Sequence, residues 1–62
     1  MPSIENAILA VVTQHPKEVS GGLPVFIVQD DAAAQRVAGS LSHILDAMVH
    51  DLQNGTLILV RH

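Results

Sequence analysis

Residues 31–53 constrain the fold more than any other stretch of this sequence. Val37, Leu41, Ile44, Leu45, Met48 and Leu52 recur at spacings of three and four, with Ala34 and Ala38 beside them. That period lines one stripe of an α-helix. Asp30 or Asp31 supplies an N-cap and puts negative charge at the helix's positive end. Asn54-Gly55 supplies a stop, with glycine in the left-handed position after the last turn. The pattern predicts a long helix over 31–53, and its apolar stripe needs a surface to cover it.

The rest of the chain has to provide that surface. Val25-Phe26-Ile27-Val28 is a short apolar run led by Pro24, which predicts a strand buried on both faces. Thr56 to Val60 predicts a second strand after a chain reversal. Each strand joins the helix by a short turn, so the two run parallel if they pair. Strand, helix and strand then form a βαβ unit, whose crossover is right-handed in nearly all proteins.

The N-terminal segment reads two ways. Ser3 can cap a helix in which Ile4, Ala7, Ile8, Val11 and Val12 fall at helical spacing, ending at His15-Pro16. The competing pattern is a strand over residues 8–13, because Val11, Val12 and Thr13 are β-branched. Glu5, Ala7, Leu9 and Ala10 favour the helix. The expected fold is therefore α+β, in the order helix, strand, long helix, strand.

Such a fold is incomplete as a single copy. A two-stranded parallel sheet leaves both edges open. The chain has 62 residues, no cysteine and one aromatic side chain, Phe26, so nothing staples it. Yet 48% of its residues are hydrophobic and its mean hydropathy is +0.37. The surplus predicts one domain over 1–62 that pairs sheet edges in a homo-oligomer.

Charge excludes several functions. The net charge is −3, and Lys17, Arg36 and Arg61 are scattered. Nucleic-acid binding needs a basic stripe and stacking aromatics, and an acidic chain is repelled by anionic membranes. The run Ala7–Val12 is too short for a signal-peptide core, which points to the cytoplasm. Ser20-Gly21-Gly22 precedes a strand instead of opening a helix, so it reads as a flexible loop and not a phosphate cradle.

One group of side chains invites chemistry. On a helix over 31–53, His43 and His50 share the polar face with Asp46 and Arg36 flanking them. The steps from His43 to Asp46 and from Asp46 to His50 allow contact. Two imidazoles and a carboxylate suit a divalent metal, and His43, His50 and Arg36 suit a small ligand. Against a metal, the histidines lie about 10 Å apart along the axis, so His15, His62 or another subunit would have to complete the set. No cofactor is required by any motif. The leading expectation is a homo-oligomeric accessory or regulatory module acting through contacts with a protein partner, without catalysis. The alternative is a ligand or metal site formed between subunits around the polar helix face.

Overall fold

A computed structural model of the chain describes residues 7–19 and 22–61. The described residues form a small α+β domain in which one helix lies on a four-stranded mixed sheet. The elements are β1 (Ile8–Thr13), a 3₁₀ turn (Pro16–Glu18), β2 (Val25–Ile27), α1 (Asp31–Leu45), β3 (Ala47–Asp51) and β4 (Thr56–Arg61). The strand order is β2-β1-β4-β3. β1 pairs parallel with β2 and antiparallel with β4, and β3 pairs antiparallel with β4.

β1 takes the strand alternative, not the helix. Its burial explains why. Ala10 and Val12 point into the core beneath α1, while Val11 and Thr13 point to the other face, and all four are buried. A segment buried on both faces uses β-branched side chains well and satisfies its backbone in ladders on both sides. The predicted Ser3 cap lies outside the described residues.

The long helix is shorter than its stripe suggests. Asp30 caps it, its Oδ1 accepting the Ala33 N–H at 2.8 Å. It ends at Leu45 because Asp46 adopts the left-handed conformation, with φ 52° and ψ 54°. The Asp46 N–H donates to the Ser42 carbonyl, and the Ser42 hydroxyl donates to the Ala47 carbonyl at 2.8 Å. Those bonds close the last turn and start β3 in a single residue. Residues 47–51 are therefore strand, where a continued helix was expected. β4 gains a second ladder in exchange, and without β3 it would be an open edge.

Asn54-Gly55 accordingly turns a β3–β4 hairpin and does not stop a helix. Gln53 and Gly55 have φ of 62° and 86°. The Leu52 N–H donates to the Thr56 carbonyl at 3.0 Å across the turn. The Asp51 and Asn54 side chains accept from the Gln53 and Thr56 N–H groups.

These changes reassign the crossover. The strands at 25–27 and 56–61 are not neighbours; β1 lies between them, and they run in opposite directions. Helix α1 instead joins the two edge strands, β2 and β3, which both run with β1. Nor is β2 buried on both faces. It is an edge strand, and all three of its residues are exposed.

The core lies between α1 and one sheet face. It consists of Ala10, Val12, Ala34, Ala38, Ala47, Leu57 and Leu59, with Leu9, Val28, Val37 and Leu41 packed around it. The small side chains at Ala34, Ala38, Ala10 and Ala47 let the helix settle close to the sheet. The expected stripe residues Ile44 and Leu45 reach past the sheet and remain exposed.

Candidate functional site

The exposed apolar side chains fall into two places. One is β2, where Val25, Phe26 and Ile27 are open and Ile27 is 65% exposed. The other runs along the corner where α1 becomes β3. Ile44 is 75% exposed there, and Leu45, Met48, Val49 and Leu52 follow it into the outer strand. Isolated exposed aliphatics are ordinary, but a series along one edge marks a contact surface.

The β3 edge adds backbone chemistry to that surface. The Leu52–Thr56 bond fixes which residues face β4, because antiparallel ladders alternate. Met48 and His50 therefore direct their N–H and C=O groups toward β4. Ala47, Val49 and Asp51 direct theirs outward. Among the described residues, no hydrogen bond reaches the outward backbone groups of Val49 and Asp51. The outward Ala47 carbonyl already accepts the Ser42 hydroxyl, and its second lone pair stays available.

The predicted ligand residues are distributed differently from the helical reading. His43 and Arg36 are exposed on α1. Asp46 is the left-handed residue of the α1–β3 junction. His50 lies on β3, paired with Ile58 and pointing to the sheet face away from α1. The i,i+4 step from Asp46 to His50 therefore has no helix beneath it, and the shared polar face of 31–53 does not exist. Among the described residues, no group of three or more His, Cys, Asp or Glu side chains gathers around one point. His15 instead packs its ring beside Gly55. The proposed helper His62 and the Ser20-Gly21 part of the loop lie outside the described residues.

A polar cleft of about 290 Å³ opens between the start of α1 and the β3–β4 hairpin. Gln14, Asp31, Gln35, Asp51 and Gln53 line it. The Gln14 amide donates to Asp31 Oδ1 at 2.8 Å, tying the end of β1 to the first turn of the helix. This cleft was not legible in the sequence, because it exists only once the hairpin folds back beside α1. The β3 edge was hidden for the same reason. Its one sequence signal was Ala47-Met48-Val49, where alternation competes with the helical period. No described helix is long and apolar enough to cross a membrane.

Comparison with known proteins supplies the remaining observation. The family described as "Capping complex subunit for YIEGIA" matches residues 5–62. A Bacillus subtilis (strain 168) protein, "Uncharacterized protein YpzH", is 33% identical over 60 residues, covering 97% of this chain and 94% of its own. No solved structure matches the chain significantly.

Proposed function

The chain belongs to the family of capping complex subunits for YIEGIA, and on that premise we propose that it is a non-catalytic subunit of a protein complex. In this reading it joins YIEGIA through protein contacts and works as an oligomer of its own chain. The observation that carries the reading is the family match across residues 5–62. The exposed apolar corner formed by Ile44, Leu45, Met48 and Val49 supports it, because that corner offers a surface of the kind a subunit needs. A chain of 62 residues has room for one small core and little more, which favours a role in contacts over a private active site.

The test is co-expression with YIEGIA from the same genome, followed by size-exclusion chromatography and native mass spectrometry. The two chains are expected to co-elute at a fixed ratio. Ile44→Asp, which changes a side chain 75% exposed, is expected to weaken co-elution while leaving the circular dichroism spectrum unchanged. Separate elution of the two wild-type chains at low salt would overturn the reading.

A further inference from the structure

We propose that β3 is the self-association edge, and that two copies pair β3 with β3 antiparallel about a two-fold axis at Val49. The proposal rests on the oligomeric part of the reading above and not on its YIEGIA part.

The two sheet edges are not equivalent. β2 has three residues and begins directly after Pro24, which lacks an N–H. Only Val25 and Ile27 direct backbone groups outward, because the Val11 N–H donates to the Pro24 carbonyl and the Val28 N–H to the Thr13 carbonyl. β3 has five residues and three that face outward: Ala47, Val49 and Asp51. It carries no proline and no lysine, the residues that commonly blunt an edge. A row of alternating free donors and acceptors is satisfied by another extended strand.

The occupant follows from symmetry. A two-fold at Val49 sets Val49 against Val49, Ala47 against Asp51, and Asp51 against Ala47. Those are the three outward residues of each strand, so this register leaves no outward N–H or C=O on β3 unmatched. A shift of two residues strands some of them. Side chains agree with the backbone. Met48 lies opposite His50 on the sheet face away from α1, and Asp51 lies opposite Ala47 on the helix face. No charge meets a like charge, although the chain carries a net charge of −3. The result is an isologous dimer with one continuous sheet and both helices on the same side. Val49 and Leu45, both partly exposed in the single copy, come to the seam.

The chain has no cysteine, so one introduced thiol reports on one position. Paired residues that exchange hydrogen bonds have Cα atoms about 5.5 Å apart, within the disulfide window. Val49→Cys in the otherwise intact chain is therefore expected to form a covalent dimer under mild oxidation. Asp51→Cys and Ile27→Cys are expected to cross-link at least tenfold more slowly. Native mass spectrometry of the untagged wild-type chain is expected to show a dimer, and circular dichroism checks that each variant is folded. A monomeric wild-type chain would overturn the proposal, as would Val49→Cys cross-linking no faster than Asp51→Cys. Co-elution with YIEGIA is scored separately, so either idea can fail alone.

Discussion

Thr13 and Thr56 face each other across the β1–β4 pair with their hydroxyl oxygens 2.8 Å apart, and both side chains are buried. Thr13 Oγ1 also accepts the His15 N–H at 2.9 Å. The two threonines thus satisfy each other and hold the chain as it leaves β1. Thr56→Val removes one partner and is expected to cost about 1–3 kcal/mol. Thr13→Val also strands the His15 N–H, so it is expected to cost more. Urea unfolding followed by circular dichroism checks the order; equal costs would mean that the His15 bond contributes nothing.

The second prediction concerns how closely α1 sits. Ala38 is 1% exposed and belongs to the core with Ala10, Ala47 and Leu59. Ala38→Leu inserts a side chain where the packing holds a methyl group. It is expected to destabilise the domain by about 1–3 kcal/mol, as overpacking does. Ile44→Ala, on the exposed end of the same helix, is expected to stay within about 0.5 kcal/mol in the isolated chain. If the two substitutions had equal effects in thermal melts, the assignment of the buried face would be wrong.

The third turns on Gly55, whose φ of +86° disfavours any side chain. A Cβ there would lie 2.7 Å from His15 Nε2 and 2.9 Å from His15 Cδ2. Gly55→Ala is expected to cost more than about 1 kcal/mol. Combining it with His15→Ala removes the collision and leaves the backbone cost. The double variant should therefore recover part of the loss, and a double-mutant cycle measures how much. Strict additivity would show that the ring already yields.

Divalent metal is a fourth test. With His43 on α1, Asp46 at the junction and His50 on β3, the helical spacing that grouped them no longer applies. Zinc or chelator is expected to leave the melting temperature of the wild-type chain unchanged, and so is the pair His43→Ala, His50→Ala. A zinc-dependent rise that the double variant abolishes would establish a metal site that uses these histidines.

The sequence made some of this legible and hid the rest for identifiable reasons. The start of α1 was readable because Asp30 is a good cap and Ala34 and Ala38 follow at helical spacing. β4 was readable because a β-branched and aliphatic run follows Asn54-Gly55. β3 was not, because Leu41, Leu45, Met48 and Leu52 satisfy a helical period while Ala47 and Val49 satisfy a strand. The break between them rests on Asp46 in a left-handed conformation that glycine or asparagine would have signalled. β1 was half readable: its β-branched residues pointed to a strand, while its neighbours favoured helix. Placing β1 at the centre of the sheet required its pairing with β4, a contact between distant parts of the chain. The helical spacing that related His43, Asp46 and His50 went with the helix, which ends at Leu45 before His50 is reached.

The strand order also sets a timetable for synthesis. β1 is made early, but the strand that covers its antiparallel side, β4, is made after the other described elements. Until Thr56–Arg61 emerge, β1 has only the three-residue β2 beside it, and α1 has half a floor to rest on. The nascent chain therefore cannot commit to its fold in stages and closes in one late step, across a long loop. Loss of Thr56–Arg61 therefore opens the middle of the sheet and takes away the ladder partner of β1 and of β3 at once.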